Sequence, residues 1–138
     1  MTLNGRCMCG DIRYELLQAP EFMGVCHCKH CQRQSGSAFS TMAGVPRESF
    51  RLLRGEPTLY HGPADSGYDT EIGFCGRCGS PLYTLLANQS DMIYLKTGTL
   101  DETDWFEPQF HVWCAQKQQW VDLDTEPTRP PHASGHFG

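Results

Sequence analysis

Seven of the eight cysteines in this 138-residue chain fall into three tight groups. These are Cys7-Met8-Cys9, Cys26-His27-Cys28-Lys29-His30-Cys31 and Cys75-Gly76-Arg77-Cys78. Thiols at such spacings suit a soft or borderline cation such as zinc. On a strand, residues i and i+2 share a face, so Cys7 and Cys9 are expected to grip one ion together. Cys75 and Cys78 are expected to straddle a tight turn, with Gly76 and Gly79 accepting positive φ. Two such pairs supply the four thiolates of a closed, structural zinc site.

The middle group has a different arithmetic. Cys26 and Cys28 are expected on one strand face, with Cys31 returning from the following turn, and no further pair remains to close the shell. Three protein ligands and an open position are the layout of a catalytic zinc. Three thiolates leave such a centre with net charge −1, a poor generator of hydroxide and a good acceptor for a soft fourth ligand such as a substrate thiol. A second reading closes this shell with His27, His30, His111 or Cys114 and makes the site purely structural. Disulfides are disfavoured by the strained geometry of Cys-x-Cys bridges, and no strand–helix setting of a thioredoxin type surrounds Cys75 and Cys78.

Other side chains carry less information. Cys114 reads as a small buried hydrophobe, and His61 as a surface residue. Arg33, two positions beyond Cys31, is either a solvated helix residue or a fork for an incoming carboxylate. Trp105, Phe106, Phe110, Trp113 and Trp120 read as core and rim aromatics.

The elements that must position these groups are short. With Gly at 14 and Pro at 9, the composition favours strands joined by turns over long helices. Strands are expected over 10–17, where Ile12, Tyr14 and Leu16 alternate, over 38–45, and as two pieces within 50–60 broken at Gly55–Pro57. Residues 68–74 and 80–87 should form a hairpin around the third cysteine group, and 91–97 and 109–113 complete an antiparallel, all-β set. Only Lys29–Gln34 reads as helix. The length fits one domain, placed at 1–126, with 127–138 as a mobile tail.

The net charge of −5 argues against a nucleic-acid surface, and no stretch is long and apolar enough to span a membrane. The start lacks the apolar run of a secretion signal, so a reducing, cytoplasmic setting is expected, with thiols kept free or metal-bound.

The motifs resemble the glutathione-dependent formaldehyde-activating enzyme family, which includes the centromere-protein-V-like domains. The resemblance rests on Gly5-x-Cys7-x-Cys9-Gly10 with Ile12 and Tyr14, on Cys26-His27-Cys28-x-x-Cys31-x-Arg33 with Gly36-Ser37, and on Phe74-Cys75-x-x-Cys78-Gly79-Ser80-x-Leu82. Gly98-Thr99-Leu100-Asp101 and Pro108-x-x-His111 through Trp120 continue it. It implies a two-sheet, antiparallel β-tent fold stapled by structural zinc at Cys7, Cys9, Cys75 and Cys78. It also implies a second, labile zinc at Cys26, Cys28 and Cys31, to which a small thiol, glutathione foremost, binds. The implied activity is a carbon–sulfur lyase reaction on a thiol–aldehyde adduct, of the S-hydroxymethylglutathione synthase type; for such an enzyme the residues offer Arg33, with the backbone amides near Gly36–Ser37, to dock carboxylates of the thiol carrier. The contrasting function is a non-catalytic zinc module that binds a small thiol or a protein. A methionine sulfoxide reductase role, sharing the fold and using Cys114, is a third.

Overall fold

The computed structural model describes residues 2–63 and 69–123. The expected tail at 127–138 lies outside the described residues. Among the described residues ten strands run in chain order: β1 Leu3–Arg6, β2 Arg13–Leu16, β3 Phe22–Cys26, β4 Ser40–Pro46, β5 Phe50–Arg54, β6 Thr58–Pro63, β7 Asp69–Phe74, β8 Pro81–Leu86, β9 Met92–Lys96 and β10 Phe110–Val112. The α-helix, α1, is Lys29–Ser35. They build a three-stranded sheet, β1-β2-β5, and a seven-stranded sheet, β10-β3-β4-β9-β8-β7-β6. The fold is the mainly β, two-sheet tent that the motifs imply.

Period-two alternation places the core. Ile12, Tyr14 and Leu16 are all buried on one side of the small sheet, and pack with Val45, Leu82, Ile93 and Leu95 of the large one. Strand β9 is buried on both faces, which explains its continuous apolar run. Ile93 and Leu95 face the inter-sheet core, whereas Tyr94 joins a second cluster with Met42, Phe110 and Val112. Cys7 and Cys75 belong to the first cluster, and Cys26, Cys28 and Cys31 to the second. The large sheet therefore separates the two expected zinc sites onto opposite faces.

The pairing corrects the sequence reading at one place. Among the described residues all strand pairs are antiparallel except β10 with β3, which run parallel, with Phe110, His111 and Val112 opposite Gly24, Val25 and Cys26. A parallel partner can come from anywhere along the chain, and no turn signal marks it. The 50–60 region does split, but β5 and β6 belong to different sheets. The 68–74 and 80–87 segments form the expected hairpin as β7 and β8. Strand β1 and the first residues of β3 lacked a periodic signal, because their glycines accommodate neighbouring rings. A Cβ on Gly24 would lie 2.7 Å from the Phe110 ring.

Candidate metal centres

The first centre is made by two knuckles of like construction. Cys7 follows β1 and sits in a turn, not on a strand, closed by Gly10 N–H donating to Cys7 O at 3.1 Å. At the other knuckle Gly79 N–H donates to Cys75 O at 2.8 Å. Gly10 and Gly79 take φ of 79° and 83°, where a side chain would be strained. Gly76 does not adopt positive φ among the described residues, so that expectation narrows to Gly79. The two knuckles meet through Ser80, whose Oγ accepts from Met8 N–H at 2.9 Å and lies 3.2 Å from Cys78 Sγ.

Cys7, Cys9, Cys75 and Cys78 bring their sulfurs within 4.8 Å of one another, a group that could hold a metal ion. The Cys7–Cys9 and Cys9–Cys75 sulfurs lie 3.7 and 3.8 Å apart. Tetrahedral zinc with bonds of about 2.3 Å places its sulfurs about 3.8 Å apart, so the donor set fits that ion. Backbone N–H groups of Ile12, Arg77 and Cys78 point at the sulfurs of Cys7 and Cys75 at 3.3–3.4 Å, as thiolates require. Cys78 is pulled down to about 5, chiefly by the Ser80 hydroxyl.

The second centre spans a strand end, a cap and a helix. Cys26 closes β3, Cys28 is the N-cap of α1, and Cys31 lies in the first turn. Cys28 keeps extended backbone (φ −64°, ψ 156°), so it retains the same-side relation to Cys26 although it is no longer in the strand. Its sulfur accepts from Cys31 N–H at 3.3 Å, the capping bond that fixes the turn. The three sulfurs lie within 4.8 Å of one another. Hydrogen bonds from Cys26 and Cys31 hold the Cys28 thiol down near 3. The Cys26 bond favours the Cys31 thiolate, but the Cys28 bond and burial outweigh it and push Cys31 up to about 12. Burial raises Cys26 well above the ordinary range. Binding a cation there requires the remaining thiol protons to leave.

Among the described residues no fourth His, Cys, Asp or Glu joins this trio. Cys26 and Cys28 are wholly buried, while Cys31, 5% exposed, reaches a pocket walled by His30, Gln34, Thr70, Ile72, Thr84 and Lys96. A wider groove shares four of those residues and continues past Arg33, Tyr60 and Phe74. Arg33 therefore lines the same depression that Cys31 opens on.

His27, His111 and Cys114, offered by the sequence as ligands to close the trio, form a group of their own. His27 lies between Cys26 and Cys28, so its side chain leaves on the opposite side from theirs. Cys114 is half-buried and its sulfur lies 3.2 Å from His111 Nδ1, so it is a polar neighbour and not simply a small hydrophobe. The usable signal was the His111-x-x-Cys114 spacing, but its partner His27 is 84 residues from His111 in sequence. His61 is exposed and pairs with Glu71 at 3.3 Å. Trp105, Phe110 and Trp113 pack in or against the cores, whereas Trp120 is 73% exposed.

The family model described as glutathione-dependent formaldehyde-activating enzyme matches residues 2–116. The chain belongs to that family. The match spans all seven clustered cysteines as well as Arg33, Lys96, His111 and Cys114. A Halomonas elongata protein, provisionally named as a glutathione-dependent formaldehyde-activating enzyme, is 22% identical over 130 residues, which are 91% of this chain and 83% of the relative. A Rhodobacter sphaeroides protein of known crystal structure shares the fold, with a TM-score of 0.58 and 22% identity over 74% of this chain and 91% of its own. No helix among the described residues is long and apolar enough to cross a membrane.

Proposed function

We propose that the chain is a zinc-dependent carbon–sulfur lyase acting on a thiol–aldehyde adduct, of the S-hydroxymethylglutathione synthase type. Family membership supports the class of reaction. The observation that carries the reading is the trio Cys26, Cys28 and Cys31, which has no fourth protein ligand among the described residues and meets solvent at a pocket beside a cationic side chain. Zinc held there would supply Lewis-acid affinity for a soft sulfur at neutral pH.

The chain's own residues divide the remaining work. Lys96, 8% exposed on the pocket wall, favours negative charge on Cys31 and on a thiolate beside it. Arg33 lies along the groove, where its planar guanidinium matches a carboxylate of the thiol carrier. His30 and Gln34 border both pocket and groove, between the reacting sulfur and the docked carrier. In the forward direction the sulfur bonds to the carbonyl carbon and the carbonyl oxygen takes up the proton that the thiol gave up. The reverse breaks that carbon–sulfur bond. Cys7, Cys9, Cys75 and Cys78 would hold the structural ion on the other face of the sheet. Cys114 is pushed up by burial, against the reactive thiolate a methionine sulfoxide reductase would need.

The test is calorimetry of zinc-loaded protein with glutathione and with mercaptoethanol, in two buffers of different ionisation enthalpy. Binding with proton release, tighter for glutathione, is expected. No heat with any thiol would leave the non-catalytic zinc module in its place.

A further inference from the structure

A third group of metal-ligand chemistry lies outside both sulfur centres. His27 Nε2 is 3.2 Å from His111 Nδ1, and Cys114 Sγ is 3.2 Å from that same Nδ1. His27 is wholly buried and His111 is 5% exposed. A ring nitrogen offers one position in its plane, either a hydrogen or a lone pair. His111 Nδ1 can therefore serve one of its two neighbours well as a hydrogen-bond partner and the other only in competition, the Cys114 thiol having as its alternative a long contact of 3.8 Å to His111 O. The far edge of the His27 ring does not help, because Nδ1 there is buried without a partner among the described residues. A cation among the three atoms resolves the competition, since each then contributes a lone pair to one acceptor. Tetrahedral zinc bonds of about 2.0–2.1 Å to nitrogen and 2.3 Å to sulfur place such donors about 3.3–3.6 Å apart. Both separations from His111 Nδ1 are close to that, and the three donor atoms all lie within 4.8 Å of one another.

The chain is shaped to bring the group together. The parallel pairing of β10 with β3 sets His111 opposite Val25, and His27 N–H donates to Val112 O at 3.1 Å. Trp113 then takes the left-handed conformation (φ 59°, ψ 38°), the one positive φ among the described non-glycine residues. That turn folds Cys114 back onto His111. Such a conformation is strained for a residue with a side chain and persists only where the surroundings impose it.

We propose that His27, His111 and Cys114 form a third metal site, separate from the two sulfur centres, for a borderline divalent cation such as zinc. Two imidazoles and one thiolate suit that class over hard cations such as magnesium or calcium. The site joins the segment carrying Cys26 and Cys28 to the strand and turn carrying His111 and Cys114. An ion there would fasten the second sulfur centre's ligand loop to β10.

The experiment is a titration of reduced, metal-free protein with Co2+, paired with histidine NMR on the Zn2+-titrated protein. Wild type should bind one equivalent more than Cys114→Ala, and that equivalent should show weaker sulfur-to-cobalt charge transfer than the three- and four-thiolate ions. In the unaltered protein, the ring signals of His27 and His111 should shift together with that equivalent. Equal stoichiometry in both proteins with unmoved histidine signals would overturn the proposal and leave a hydrogen-bonded trio. Loss of the ion held by Cys26, Cys28 and Cys31 in Cys114→Ala would also overturn it, making Cys114 that ion's fourth ligand. The NMR arm needs no substitution, so the proposal stays testable if the variant does not fold.

Discussion

Lys96 Nζ lies 2.8 Å from Ser40 Oγ, and the two side chains are buried together beside the second sulfur centre. Ser40 is the register partner of Cys26 across β3 and β4, so the bond ties a cationic side chain to the strand position opposite a thiol of that centre. A buried amine held by one neutral hydroxyl is poorly compensated, and contributes little to folding. Its positive charge lies beside Cys31, where it favours the thiolate.

Lys96→Met should therefore separate affinity from stability. The ion held by Cys26, Cys28 and Cys31 should be lost on the order of 10–100-fold more readily, the equivalent of about 1.5–3 kcal/mol for a contact to a charged group. The melting temperature should stay level or rise, because a buried charge is removed. Chelator competition beside thermal melts measures both, and superimposable chelation curves would refute the assignment.

The two sulfur centres should fail differently. Cys75 is buried in the inter-sheet core, and Cys75→Ser should prevent stable folding, since structural zinc supplies of order 10 kcal/mol in small metal domains. Cys28→Ser should retain the fold while losing thiol binding and the more labile ion. Graded chelation of wild type should release metal in two or more phases. Equal losses in the melts of both variants would remove the distinction between structural and open centres.

Arg33 should govern which thiol is preferred. Arg33→Ala should erase most of the advantage of glutathione over mercaptoethanol, on the order of 1.5–3 kcal/mol, without changing the affinity for mercaptoethanol. Affinity for either thiol should rise with pH toward the thiol's own pKa, roughly 8.5, because the bound form is the thiolate. Binding isotherms across that range check both statements. An unchanged ratio in the variant would place the carboxylate elsewhere.

Gly5 and Tyr14 test how the small sheet closes. They are register partners, and a Cβ on Gly5 would overlap the Tyr14 ring and lie 2.7 Å from Thr99 O. Gly5→Ala should cost about 1–3 kcal/mol by overpacking. Tyr14 Oη lies 2.7 Å from Thr99 Oγ1, which itself donates to Lys96 O at 2.8 Å, so the phenol is the donor of the first bond. Tyr14→Phe should cost about 1 kcal/mol. Burial raises the Tyr14 pKa above its ordinary value of 10. A raised folded pKa keeps its stabilisation below about pH 10 and loses it as pH climbs beyond, so alkaline melts should fall less steeply for Tyr14→Phe. Parallel curves for the two proteins would discount the tyrosine.

Sequence by itself determined what short spacing controls. Cys75-x-x-Cys78 with Gly79 forms a knuckle because a five-residue turn needs one residue at positive φ, and Cys28 caps a helix that returns Cys31 to it. The alternation of Ile12, Tyr14 and Leu16, and the hairpin around Cys75, follow from the two-residue period of a strand. The pairing of distant knuckles was legible from ligand count, since two thiols cannot fill a tetrahedral shell.

Tertiary structure decided everything that depends on which distant strands lie side by side. The parallel seat of β10 against β3, the meeting of His27 with His111 and Cys114, and the approach of Lys96 to Cys31 have no local signature. Strand register across such separations is set by which apolar faces can be buried together, here the Tyr94, Phe110 and Val112 face of the large sheet. That burial is a property of the assembled sheet, so its consequences for chemistry appear only once the sheet exists.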